Sequence, residues 1–173
     1  YRLVLSVNLS TTQLRNASLI DDVAIALSTS HLTPRSLVLE ITADEALASE
    51  SRDALHALTQ LGVHVAVDDF DPTSDSLEAL AERGISLVKL DRLAVARLGS
   101  TNEEEARLHD LLQEARSLGL AIVATGVEDA LQRRILQAEH VSSGQGYLFS
   151  APREAHEIDE YLRGFSIFSG DPL

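Results

Sequence analysis

Apolar residues gather along the chain in six short runs, at residues 3–7, 37–41, 63–67, 85–90, 120–124 and, more weakly, 141–147. The better runs are nearly continuous in Val, Ile and Leu, the pattern of parallel strands covered on both faces. Between them lie amphipathic segments with readable ends. Residues 43–61 carry Leu47, Leu55, Leu58 and Leu61 and stop at Gly62. Residues 102–118 follow Thr101, place Glu103, Glu104 and Glu105 where carboxylates suit the helix dipole, and stop at Gly119. Gly62, Gly84 and Gly119 each stand between the end of a helical pattern and the next apolar run, as left-handed helix caps do. This alternation predicts an α/β fold with right-handed crossovers. An open doubly wound sheet and a (βα) barrel both fit it. The absence of Gly-x-Gly-x-x-Gly after the first run counts against a dinucleotide-binding sheet.

Composition narrows the partners more than the fold. The 173 residues are 45% hydrophobic and 24% charged, enough for one domain with a sizeable core. Net charge is −13, with 14 Lys and Arg against 27 acids, so nucleic acid and anionic membranes are not expected partners. An anionic ligand would need metal ions or a few local donors to receive it. No apolar stretch is long enough to span a bilayer. The chain has no Cys, which excludes disulfides and thiolate metal sites and agrees with a cytoplasmic location. It also has no Met, even at position 1, so it is read as the C-terminal portion of a larger protein, residues 1–173 forming one domain.

Candidate chemistry collects at the carboxyl ends of the runs, where α/β folds place their ligands. The run ends read Asn8-Leu9-Ser10, Glu40-Ile41-Thr42, Asp68-Asp69-Phe70, Lys89-Leu90-Asp91, Thr125-Gly126-Val127-Glu128 and Gln145-Gly146-Tyr147. Oxygen donors of this kind suit Mg²⁺, Mn²⁺ or Ca²⁺, whereas the six histidines show no metal-binding spacing. A plainer account is open for the twin aspartates. They would introduce a polar loop, with Asp71-Pro72 turning and Ser74 or Asp75 capping the next helix. Lys89 is harder to explain away, because a lysine within Leu87-Val88-Lys89-Leu90 needs a buried partner, and an acidic rim supplies one.

In this order V-N-L-S (7–10), L-E-I-T (39–42), V-D-D-F (67–70), V-K-L-D (88–91), G-V-E (126–128) and Q-G-Y (145–147) resemble the EAL domain family of cyclic di-GMP phosphodiesterases. The resemblance runs from Ser6 to about Pro152. It implies a modified TIM barrel whose first strand is antiparallel, with six βα units in this chain and the N-terminal strands, including the Glu-Ala-Leu motif, ahead of Tyr1. It also implies a two-metal Mg²⁺ or Mn²⁺ site that hydrolyses cyclic di-GMP to pGpG. Asn8, Glu40 and Asp68 match the first metal's ligands, and Asp68 with Asp69 the pair shared with the second. Lys89 matches the lysine beside the attacking water, Asp91 and Gln145 match pocket-lining residues, and Glu128 matches the second acid of A-E-G-V-E. Both aspartates reach metal only if the strand ends at them, since successive strand residues point to opposite faces.

Three departures touch the chemistry. Thr125 stands where the family has its general-base glutamate, and threonine accepts no proton near neutral pH. The loop D-P-T-S-D-S replaces G-T-G-Y-S-S, so Asp71 and Thr73 stand for glycines around Pro72. Ala43 replaces the acid that braces this loop. The expectation is a degenerate EAL domain, catalytically impaired, serving as a regulatory, ligand-sensing or protein-interaction module. The alternative is an active metal-dependent phosphodiesterase in which Glu128, or a residue ahead of Tyr1, takes over from Thr125. Expected partners are cyclic di-GMP, an upstream GGDEF-like or sensory domain, and a second copy in a homodimer.

Overall fold

A computed structural model describes residues 3–165. Six strands, β1 (Leu5–Asn8), β2 (Leu37–Ile41), β3 (His64–Phe70), β4 (Leu87–Leu90), β5 (Ala121–Ala124) and β6 (Ser143–Gly144), form one sheet. They lie side by side in chain order, and every neighbouring pair is parallel. A doubly wound sheet reverses its strand order at a switch point, and this one does not. The sheet is therefore an arc of a (βα) barrel, curled into a partial domain.

Nine helices are described: α1 (Thr11–Leu14), α2 (Leu19–Ser30), α3 (Ala43–Leu47), α4 (Arg52–Gln60), α5 (Leu77–Ala81), α6 (Arg92–Ala96), α7 (Asn102–Ser117), α8 (Ala130–Ala138) and α9 (Ala155–Phe165). Gly62, Gly84 and Gly119 adopt φ of 81°, 79° and 73°, so the three predicted αβ turns form. Thr101 caps α7 by accepting from the Glu104 amide, as the local pattern indicates. The core is thickest around the central strands. Val65, Val67 and Phe70 of β3 and Val88 and Leu90 of β4 are buried against Leu55 and Leu58 of α4 and Leu77 and Leu80 of α5. Each fully buried side chain of this size contributes about 1.5–3 kcal/mol.

Three local expectations change. The single helix expected over 43–61 is broken: Ala48 turns extended, and a short 3₁₀ turn over Ser49–Ser51 precedes α4. The break is held from outside, because the Arg83 guanidinium donates to the carbonyls of Leu47 (2.8 Å) and Ala48 (3.3 Å). The cap of α5 is Ser76, whose hydroxyl accepts from the Ala79 amide, rather than Ser74 or Asp75. The sixth strand is only two residues long: the Gln145 amide still donates to the Ala124 carbonyl, and from the Gln145 carbonyl onward the backbone bonds to Val127.

The two ends of the arc differ. Every residue of β1 is exposed, and Leu3, Val4, Leu5 and Val7 are 59, 57, 53 and 42% accessible. Within the described sheet β1 has a neighbour on one side only, so it offers both an open strand edge and apolar area. Residues 1–173 expressed alone should therefore self-associate, and Leu5→Lys/Val7→Lys should shift the population to monomer in size-exclusion light scattering. A monodisperse unsubstituted monomer would show that the edge is harmless.

Candidate functional site

The site begins where β2, β3 and β4 end. Glu40, next to last in β2, is 6% exposed, and Lys89 of β4 is 7% exposed. Lys89 Nζ donates to Glu40 Oε2 at 2.7 Å and lies 2.9 Å from Asp68 Oδ1. This is the partner the buried lysine requires. Burial alone would lower the Lys89 pKa, but the hydrogen bonds and charges of Glu40 and Asp68 prevail and raise it above its ordinary value. The group is therefore an ammonium ion at any physiological pH. On the other side of β2, Asn8 is the register partner of Glu40, and the Leu9 amide donates to the Glu40 carbonyl at 2.8 Å. Asn8 itself is exposed.

The twin aspartates correct the expectation that the strand ends at them. β3 continues to Phe70, with a bulge. Val67 pairs with Val88 and Phe70 with Leu90, so Asp68 and Asp69 together oppose Lys89 alone. Asp69 takes the left-handed conformation, φ 52°, which aspartate tolerates better than most residues. The extra residue breaks the strict alternation of faces. Asp69 is more basic than an ordinary aspartate, chiefly through partial desolvation, then through the charges of Asp68, Asp91 and Glu40, with Lys89 opposing.

The β5–β6 side is arranged differently. The Thr125 hydroxyl donates to the Leu90 carbonyl and ties the end of β5 to β4. Asp91 is half-buried and starts α6 without a side-chain capping bond. Glu128 Oε1 lies 3.3 Å from Arg92, both side chains being well exposed, while the Glu128 amide donates to Gln132 Oε1 at 2.8 Å. The segments 126–128 and 145–148 interlock through their backbones: Val127 N donates to Gln145 O (2.9 Å), Gln145 N to Ala124 O (2.8 Å) and Leu148 N to Val127 O (3.1 Å). A Cβ at Gly146 would overlap the Val127 backbone, so only glycine fits. Gln145 is exposed and joins this frame through its main chain. Arg92, which lies over Gly126, escaped the sequence reading, because a single exposed Arg after Asp91 carries no pattern.

The loop after β3 closes on itself. Asp71 Oδ1 accepts from the Thr73 amide (2.8 Å) and hydroxyl (2.7 Å), and the Asp71 amide donates to Asp75 Oδ2 (3.0 Å). The two bonds from Thr73 hold the Asp71 carboxyl below its ordinary pKa.

The EAL domain family profile matches residues 1–152. The chain belongs to the EAL domain family. It is 32% identical to the cyclic di-GMP phosphodiesterase NbdA of Pseudomonas aeruginosa over 99% of this chain and 22% of NbdA. The fold matches the structure of the Pseudomonas aeruginosa MucR phosphodiesterase in complex with cyclic di-GMP, with TM-score 0.79 and 33% identity over 90% of this chain and 64% of that one. It also matches Klebsiella pneumoniae BlrP1 in a calcium and cyclic di-GMP complex, with TM-score 0.78 and 26% identity over 86% of this chain and 39% of that one. The chain thus spans about a fifth of the length of NbdA.

Against the EAL pattern, the donor chemistry on the rim fits a hard cation: two carboxylates already converge on one positive charge, and a third, on Asp69, is raised in pKa by its neighbours. Among the described residues no three acidic or histidine side chains enclose an ion as they stand. Glu40 and Asp68 are turned to Lys89 instead.

Two outcomes follow from these charges. Lys89→Met should destabilise the protein by about 3 kcal/mol in urea unfolding by leaving Glu40 buried and unpaired, and adding Glu40→Gln should recover part of it. Asp69→Asn should behave differently. Because the folded pKa of Asp69 lies above 3.8, its ionisation opposes folding, and the penalty grows as pH rises from 3.8 through the raised value. The variant should thus be more stable than the parent at neutral pH and lose that advantage below pH 3.8, as read from thermal unfolding against pH.

Proposed function

We propose that this chain is a cyclic di-GMP-sensing EAL module whose hydrolytic step is impaired, acting as the regulatory part of a longer signalling protein. The observation that carries the reading is at Thr125. Its hydroxyl is a hydrogen-bond donor to the Leu90 carbonyl, and the nearby acid, Glu128, is drawn to Arg92. Neither arrangement offers a base at the end of β5. Lys89 cannot substitute, since its raised pKa keeps it protonated. As a fixed positive charge between Glu40 and Asp68, it suits the phosphate of a bound dinucleotide rather than proton abstraction.

Asn8, Glu40, Asp68 and Asp69 are the residues that would hold Mg²⁺ or Mn²⁺, which when bound supplies charge neutralisation and water activation. Asp91, Gln145 and the Arg92–Glu128 pair would line the ligand's approach. The similarity to MucR and BlrP1, whose structures contain cyclic di-GMP, supports recognition of the same ligand. A GGDEF-like or sensory neighbour, homodimerisation and a cytoplasmic setting belong to the same reading. The supporting facts are the small share of NbdA covered and the absence, among the described residues, of any helix long and apolar enough to cross a membrane.

The test is turnover of cyclic di-GMP to pGpG with Mn²⁺. The parent should be slow, and Thr125→Glu should raise the rate by about 10²–10⁴, the usual contribution of a general base. A parent that turns over at ordinary enzyme rates, losing activity with Asp68→Ala and gaining little from Thr125→Glu, would establish the active alternative.

A further inference from the structure

One carboxylate outside the rim ties two of its strands together. Glu45 Oε2 accepts from the Thr42 amide at 3.1 Å, the Glu45 amide donates to Thr42 Oγ1 at 3.3 Å, and Glu45 Oε1 accepts from the Thr11 hydroxyl. The first two contacts form a capping box on α3. The third leaves the helix and reaches the first residue of α1, in the loop that follows β1. Thr42 comes two residues after Glu40, and Thr11 three after Asn8. Glu45 therefore bridges the loops leading away from both residues. The loop after β1 is held at its own end by a Ser10–Gln13 capping box, so the bridge joins two locally stiff turns rather than two loose ones. These interactions lower the Glu45 pKa despite partial desolvation, with Arg15 adding its charge.

We propose that Glu45 is a positioning residue: by linking Thr11 to Thr42 it fixes the tip of β1 against the tip of β2, and so sets Asn8 beside Glu40. Without the bridge, β1 is an exposed edge whose last residue relies on backbone pairing alone. In this chain Ala43 supplies no acid to brace the neighbouring loop, and Glu45 two residues later braces the opposite one. The consequence for metal rests on the function proposed above, whereas the bridge itself does not.

The experiment has two readouts on the purified protein. The first needs no ligand: the side-chain amide signals of Asn8 in ¹⁵N NMR. Glu45→Ala should shift or broaden them, and Thr11→Val, which keeps the α3 capping box, should do so in the same direction. Glu45→Gln should restore them, because a glutamine can accept from the Thr42 amide and donate to the Thr11 hydroxyl. The second is the affinity for Mn²⁺ alone by calorimetry, expected to weaken on the order of tenfold in Glu45→Ala. Glu50→Ala, which removes the same charge from a nearby exposed acid, should bind Mn²⁺ as the parent does. Asn8 signals that ignore both Glu45→Ala and Thr11→Val would overturn the bridge, and unchanged Mn²⁺ affinity in Glu45→Ala would overturn its role in positioning. A parent that binds no Mn²⁺ would instead sink the metal assignment above, with the Asn8 signals still deciding whether the bridge exists.

Discussion

The interaction on which the site depends is the buried ammonium of Lys89 between the carboxylates of Glu40 and Asp68. It joins the tips of three consecutive strands, β2, β3 and β4. As a source of stability such a pair is a poor investment, because desolvation opposes most of the Coulombic gain. Its effect is geometric. Glu40 and Asp68 meet on that ammonium, and, after partial desolvation, the charges of Asp68, Asp91 and Glu40 all reach Asp69 and raise its pKa. Lys89 thus holds the carboxylates of Glu40 and Asp68 together at the rim. The negative charge that remains is the basis on which a divalent ion is proposed to bind at this rim.

The second constraint is the bulge in β3. A regular strand would send Asp68 and Asp69 to opposite faces, one into the arc and one into the helical layer. Setting both against Lys89, with Asp69 in the left-handed region, avoids burying a carboxylate among Leu and Val. It also lets the strand resume at Phe70, whose ring is fully buried and whose carbonyl accepts from the Asp91 amide at 3.1 Å. The bulge is therefore anchored on both sides by core residues, Val67 before it and Phe70 after it. The strained residue is held by the packing around it rather than by its own preference.

Much of this was legible in the residues. The apolar runs located all six strands, the three Gly positions located the entry turns of β3, β4 and β5, and Lys89 within an apolar run demanded the acids it proved to have. What escaped was set by distant parts of the chain. No residue between 43 and 61 breaks a helix on its own account, and the break at Ala48 is held by Arg83 from after α5. The continuation of β3 to Phe70 was hidden because Asp-Asp reads as the start of a loop, and only pairing with Leu90 reveals that the strand resumes. The sequence order of the strand tips likewise suggested one convergent set of ligands. The structure joins Glu40, Asp68 and Lys89 by direct contacts, leaves Asn8 exposed beside Glu40, and holds β5–β6 in a backbone-bonded frame.

That frame bears on the impairment proposed at position 125. If the β5–β6 side had come apart, a missing acid would be one symptom among many. It has not. Gly146 still packs against the Val127 backbone with no room for a Cβ, Gly126 still lies under Arg92, and three main-chain hydrogen bonds lock the two segments. Thr125 occupies an ordered strand tip and spends its hydroxyl on joining β5 to β4. On the reading proposed above, Thr125 supplies a structural tie where the resemblance implies a proton acceptor, within an ordered β5–β6 frame. On that reading binding and turnover are separable: the groups proposed to hold an ion and a phosphate sit on β1–β4, while the step that needs a base falls at Thr125, whose hydroxyl is bonded to Leu90.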